Sequence, residues 1–343
     1  VALIGSIAPE QHYVPGRLAQ LGASELLVAT YPKVEAGYAE HPKYKRVDGG
    51  IETLWQRPKG TPKGIFFAAH GCCHQGPDYF SEVEPDGWKF EACADTYVGH
   101  CLGLPEEVHF RHAVLTRGYV FVAVSGGSGV GSCWSEGEAP KVKQAIEYVR
   151  KAEGLPATVP VFATGSSSGG SLMTPMADSD GVQNLKCIVP MVSTADATSR
   201  KIPTLHVEMS RDSWTDRSGR QATESLKRQG VRAASISARP LPLTEAYLSQ
   251  CLSDPNLRAA VIKAMRQSGD IDAKGLLKYD ARESNWREPV RKVIAGRSAD
   301  TLVADQSCLS ELMNVAWSFH EFTGEMSEQI LDFCEGKGEY ATS

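Results

Sequence analysis

Short apolar runs alternate with helical patterns through the middle of this 343-residue chain, and that rhythm sets its fold class. Residues 51–57 alternate as a strand does, and 58–64, rich in proline, glycine and lysine, form a turn. Residues 65–69 are wholly apolar, as in a strand buried on both faces of a parallel sheet. The pattern then predicts a helix at 106–117 and a strand at 119–124. A helix at 140–152 follows, with Val142, Ala145, Ile146 and Val149 on one face, and then a strand at 159–163. A helix at 168–177, strands at 185–192 and 204–209, a helix at 221–229 and a strand at 231–238 complete the series. Strands and helices taking turns in this way argue for an α/β fold with a doubly wound, mostly parallel sheet.

Beyond residue 238 the rhythm stops. Helical stretches are expected at 245–252, 257–268 and 286–294, with a turn at 269–275 and no strand up to residue 313. The tail, 320–335, is amphipathic, with Phe322, Met326, Ile330, Leu331 and Cys334 along one side. Residues 1–50 show little periodicity and read as an irregular lead-in. The expected organisation is therefore a sheet core over 51–238 and 316–343, interrupted by a helical insertion at 239–315.

A net charge of -5, with no basic run, gives no electrostatic case for nucleic acid. No segment approaches the ~18 uninterrupted apolar residues of a membrane span. Residue 1 is Val, which a removed targeting segment and a trimmed chain explain equally well. None of the nine cysteines is spaced C-x-x-C, against a zinc ribbon or a thioredoxin-type motif. Cys187, in the apolar run 187–191, reads as a core thiol. Cys93, Cys101 and Cys133 lie in polar, glycine-rich segments, which points to disulfides and an oxidising compartment. An odd count leaves at least one thiol unpaired.

The chemistry concentrates at Gly165-Ser166-Ser167-Ser168-Gly169, directly after the strand at 159–163. This is G-x-S-x-G, the pattern of a strand-to-helix turn that lifts its central serine out of the sheet. The flanking glycines let backbone approach closely, and the following helix aims its first amides at developing negative charge. A serine-rich surface turn has the same letters, so context decides. Upstream, the strand at 65–69 runs into His70-Gly71-Cys72-Cys73-His74. A metal site there is disfavoured, because adjacent cysteines do not easily point at one ion.

Strand–His–Gly and strand–G-x-S-x-G–helix, about 95 residues apart, resemble the α/β-hydrolase superfamily over 51–212 and again from His320 to the tail. More narrowly, Gly71-Cys72 with Asp78-Tyr79-Phe80, the segment 101–107, Cys133-Trp134 and the segment 166–170 are similar to a little-characterised group of plant and algal hydrolase-like proteins. The resemblance implies an α/β-hydrolase sheet with Ser167 as nucleophile, followed in chain order by an acid and a histidine. Asp212, just past the strand at 204–209, fills the acid's place; Asp196 and Asp216 are the alternatives, and any aspartate there can also be a turn residue or helix cap. Only His320 of the nine histidines lies downstream of Asp212, so it is the implied base. His12, His41, His100, His109 and His112 are expected in solvent or at caps, and His206 packed in its strand. The implied oxyanion donors are the backbone amides of Cys72, with Cys73 next, and of Ser168.

The chain departs from the simple pattern in one respect. Asp212 and His320 lie 108 residues apart, where a few tens are usual, and the excess is the helical stretch 239–315. It reads as a cap or lid over Ser167, or else as a lateral decoration. Trp134 and Trp214 fall at the same edge and either wall an apolar acyl or aryl site or simply pack. The implied activity is that of a serine hydrolase acting on a small-molecule carboxylic ester through an acyl-enzyme, with no cofactor and no metal. The same triad cleaves amides and peptides, and a non-catalytic partner-binding protein of this fold is the third reading.

Overall fold

The apolar runs form the middle of one sheet. The computed structural model describes residues 39–338 apart from 49, 85, 128–131, 179–180, 196–199, 295–301 and 303–306. Its strands are β1 (Lys43–Val47), β2 (Ile51–Gln56), β3 (Ile65–Ala69), β4 (Val120–Val124), β5 (Val161–Ser166), β6 (Leu185–Met191), β7 (Thr204–Met209) and β8 (Ala233–Ala238). They lie in the order β1-β2-β4-β3-β5-β6-β7-β8. Only β2 runs against its neighbours, pairing antiparallel with β1 and β4, and every other pairing is parallel. Every residue of β3, β4 and β5 is buried, and β3 and β4 accordingly read as unbroken apolar runs.

β1 corrects the expected lead-in. Most of that segment lies outside the described residues, but 43–47 form an edge strand whose Lys43, Lys45 and Arg46 hide the alternation. Charged side chains on an edge also discourage pairing with another chain.

Helices cover both faces: α1 (Pro105–Arg117), α2 (Ala139–Ala152), α3 (Ser168–Ser171), α4 (Met173–Ala177) and α5 (Ser213–Arg228). Phe110 of α1 joins Phe66, Phe121 and Val189 in one core cluster, together with Ile330 and Phe333 near the chain's end. Val142, Ile146 and Val149 of α2 join Ile65, Phe67 and Val122 in the other, so their predicted stripe faces the sheet.

A separate cluster gathers the stretch after β8, where α6 (Glu245–Leu248), α7 (Pro255–Ser268), α8 (Arg287–Val293) and α9 (Cys308–Trp317) precede α10 (Ser327–Cys334). Its centre includes the fully buried Trp286, Tyr247 and Leu312. The sequence pattern also misses α9, eight of whose ten residues are buried, the polar Ser310, Glu311 and Asn314 among them, so its polar positions do not mark a solvent face. Among the described residues no helix is long and apolar enough to cross a membrane.

Four disulfides join Cys72–Cys133, Cys93–Cys101, Cys187–Cys334 and Cys251–Cys308, and Cys73 is free and exposed. Cys187 is therefore not the core thiol expected of it. Its apolar run places it inside the sheet, and there it meets Cys334 from the apolar side of α10 within one buried cluster.

Candidate active site

β5 ends in a bend at Ser167, whose φ of 51° and ψ of −112° put a non-glycine residue in sparsely populated backbone territory. The flanking glycines explain how such a bend packs. A Cβ on Gly165 would overlap the Gly169 carbonyl, and one on Gly169 would lie 2.5 Å from the His70 carbonyl oxygen. The elbow thus sits directly against the loop after β3. The three consecutive serines have different surroundings. Ser166 is buried, Ser167 is partly exposed with its amide donating to Met191 O at 2.9 Å, and Ser168 Oγ accepts from the Trp134 amide at 3.2 Å.

Ser167 Oγ lies 2.9 Å from His320 Nε2, and His320 Nδ1 lies 2.6 Å from Asp212 Oδ2. Asp212 follows β7 and caps α5, its other carboxylate oxygen accepting from the Thr215 amide at 3.2 Å. Burial alone would raise the Asp212 carboxyl, but hydrogen bonds from His320 and Thr215 outweigh it and hold the group below its ordinary value. Asp216 instead pairs with Arg220 at 2.8 Å on α5, and Asp196 lies outside the described residues. The aspartate and histidine loops are also tied together. The Arg211 amide donates to Ser318 O at 3.1 Å, Arg211 lies 3.5 Å over the Trp317 ring, and Ser318 Oγ donates to Ala238 O at 3.0 Å.

On the other side of the elbow, the Gly126 amide donates to His70 Nε2 at 3.0 Å, which leaves Nδ1 to donate to Gly71 O at 2.7 Å. Burial holds His70 down to about 4, so it is a neutral strut inside its loop. Cys72 is bonded to Cys133, and Cys73 takes a left-handed φ of 67°. The first-turn amides of α3, Ser168 included, have no acceptor within the helix. Trp134 is buried against the His70 ring, centroids 5.2 Å apart, and so supports this loop. Trp214, next but one to Asp212, is exposed.

The remaining histidines divide differently from expectation. His206 is packed, as its strand position suggests, between Thr223 Oγ1 at 2.8 Å and the Ala195 amide at 3.3 Å. His112, expected in solvent, is buried on α1. Burial likewise lowers its α1 neighbour His109 to about 4.

Ser167 at the end of β5, Asp212 after β7 and His320 after β8 therefore meet at one edge of an eight-stranded sheet with a single reversed strand. This is the α/β-hydrolase fold. No family model matches the chain, and no curated protein matches it either. Among solved structures, a thermostable esterase from Pseudomonas putida is similar at 16% identity, with 75% of this chain and 91% of that one covered and a TM-score of 0.44. An acetyl xylan esterase from Aspergillus awamori is similar at 17% identity, covering 44% of this chain and 51% of that one, with a TM-score of 0.31. The chain thus spans about half the length of that xylan esterase. An acylaminoacyl peptidase from Pyrococcus horikoshii is similar at 14% identity, with 60% and 37% covered and a TM-score of 0.38. At such identities and scores the likenesses carry no functional weight, and the chemistry has to be read from the residues.

Behind the edge of this α/β-hydrolase sheet lies a buried polar network that sequence reasoning missed. Glu321, next to His320, accepts from Arg282 at 2.6 Å and from Asn314 Nδ2 at 3.2 Å. Its other oxygen accepts from the Phe322 amide at 3.1 Å and lies 3.8 Å from His74 Nε2. His74 Nδ1 in turn donates to Asp78 at 3.3 Å. Burial opposes a charge on His74, yet the bond to Asp78 and the Glu321 carboxylate push it up to about 10. The four-residue spacing of His74 and Asp78 is local, but Arg282 and His74 meet Glu321 from distant parts of the chain. The adjacency of Glu321 to His320 and the His74–Asp78 spacing were the signals in the sequence.

Proposed function

We propose that the chain is a serine hydrolase that cleaves a carboxylic ester through an acyl-enzyme. What supports the reading is the unbroken path from Ser167 Oγ at 2.9 Å from His320 Nε2 to Asp212 Oδ2 at 2.6 Å from His320 Nδ1. With Asp212 accepting from Nδ1–H, Nε2 presents its lone pair to the serine hydroxyl. Ser167 Oγ then adds to the ester carbonyl carbon as its proton passes to Nε2. The oxyanion is taken by the Ser168 amide and by an amide of the loop after β3, that of Cys72 first. Collapse breaks the ester C–O bond, and the leaving alcohol takes the proton from Nε2. Water, deprotonated by the same nitrogen, repeats the sequence and frees the acid.

On this reading the helical layer over 239–315 is the cap that shapes the approach to Ser167. The four disulfides support an oxidising compartment. A fluorophosphonate probe should label the folded wild type and leave Ser167→Ala unlabelled. A folded wild type that stays unlabelled overturns the hydrolase reading, and persistent labelling of the variant overturns the choice of nucleophile. Matched p-nitrophenyl esters and p-nitroanilides of graded chain length test ester against amide. Faster turnover of the anilides would count against the ester.

A further inference from the structure

We propose that Arg282, supplied by the helical layer, is a positioning residue that holds the His320 loop in working register and couples it to the loop after β3. The inference rests on the serine-hydrolase reading and assigns the helical layer a part in the chemistry beyond covering the site.

Arg282 grips three consecutive residues. Its Nη1 donates to Phe319 O at 3.0 Å, and its Nη2 donates to His320 O at 3.3 Å and to Glu321 Oε2 at 2.6 Å. Fixing the carbonyls of residues 319 and 320 fixes the peptide planes on either side of the imidazole. The loop needs such a hold. Ser318 and His320 both take left-handed φ values, 64° and 46°, which side chains with a Cβ disfavour. A strained segment persists only where its surroundings over-determine it.

The grip is itself rigidly mounted. Asp280 Oδ1 accepts from the Arg282 amide at 2.8 Å, and Ala281 O accepts from the indole of the fully buried Trp286 at 3.0 Å. A guanidinium suits the task because its planar fork reaches several acceptors at once, which a lysine ammonium on a flexible stem does less well.

The contact also reaches further. Glu321, held by Arg282, stands 3.8 Å from His74 Nε2, and His74 closes the segment His70–His74 that carries the candidate oxyanion amide. One chain of contacts, from the exposed Arg282 to the buried Glu321, His74 and Asp78, therefore links the helical layer, the base and the oxyanion loop. A supporting shell of this kind sets how closely the reacting groups keep their geometry.

The test compares wild type, Arg282→Ala and Arg282→Lys. A control, Arg258→Ala, removes bonds to Leu252 O and Ser253 O in the same layer but touches nothing in the His320 loop. Each protein is assayed for kcat and KM with p-nitrophenyl acetate, for its fluorophosphonate labelling rate, and for its thermal midpoint. Arg282→Ala should lose about 10- to 100-fold in kcat and labelling rate, the scale of sub-ångström misplacement, with KM within about two-fold. Arg282→Lys should recover part of the loss, and the control should keep wild-type kcat even if its midpoint falls. Wild-type kcat in Arg282→Ala overturns the positioning role. So does a loss that the control shares in proportion to its lowered midpoint. If wild type itself is neither labelled nor active, it is the serine-hydrolase reading that fails, and this role falls with it.

Discussion

Replacing Gly169 with alanine tests whether the elbow and the loop after β3 must touch. The added Cβ would sit 2.5 Å from the His70 carbonyl oxygen and 2.7 Å from that of Ala69, where real Cβ atoms essentially never come within 3.0 Å. One backbone segment must retreat by about half an ångström, and neither side yields easily. Ala69 ends β3, which is paired on both sides, and His70 is fixed through both ring nitrogens. Overpacking of this kind costs about 1–3 kcal/mol, which in a chain this long lowers the thermal midpoint by about 1–4 °C. The displacement falls between Ser168 and the loop that faces it, so activity should suffer more than stability, by about 10- to 100-fold as the shift nears 1 Å. Labelling rate, kcat/KM with p-nitrophenyl acetate and scanning calorimetry read the two effects separately. Gly137→Ala is the control, since its Cβ would meet only Ser135 Oγ at 4.0 Å. A Gly169→Ala protein with wild-type midpoint and wild-type labelling would refute the close contact.

Two further outcomes follow from buried charge and from the disulfides. Burial is opposed by Asp78 and Glu321 at His74, pushed up to about 10, whereas burial itself raises Glu325 to about 8 and Glu208 to about 10. All three hold their proton more tightly folded than unfolded. Their stabilisation is therefore whole at low pH and drains away, at about 1.4 kcal/mol per group per pH unit, as pH rises from the unfolded towards the folded value. His70, His109 and His206, held down to about 4, pull the other way only while unfolded histidine is still charged, so urea midpoints measured from pH 7.5 to pH 9 should fall steadily, and a flat or rising series contradicts the assignment. The Cys72→Ala/Cys133→Ala double variant opens a bridge across 61 residues, for which the chain-entropy relation gives about 4 kcal/mol. Calorimetry should find a lowered midpoint, and an unchanged one would show that the bridge constrains nothing.

Much of the sheet was legible because strands buried on both faces need unbroken apolar runs, as 65–69 and 120–124 show. β1 was not, since an edge strand carrying Lys43, Lys45 and Arg46 has no buried face to set a period. α9 was missed for the opposite reason, being buried nearly all round, its polar Ser310, Glu311 and Asn314 included. α5 begins at Ser213, well before the helix expected at 221, because its first turns are polar and only the Asp212 cap announces them. At the site, chain order selected Ser167, Asp212 and His320, and the structure brings these three together. What stayed hidden was everything held by contacts distant in sequence. Arg282 reaches Glu321 across 39 residues, and Cys187 finds Cys334 across 147. No periodicity records a partner so far away, and an apolar run around a cysteine describes a buried thiol and a buried disulfide equally well.

The Cys187–Cys334 bond closes residues 188–333 into a ring that contains Asp212, the helical layer and His320, with Ser167 just outside it. A protease that cut the backbone once anywhere in that ring would not release a fragment. The two pieces would stay fastened through β6 and α10, running as one band without reductant and as two with it. The serine, the aspartate and the histidine would remain parts of a single molecule, nicked but not taken apart.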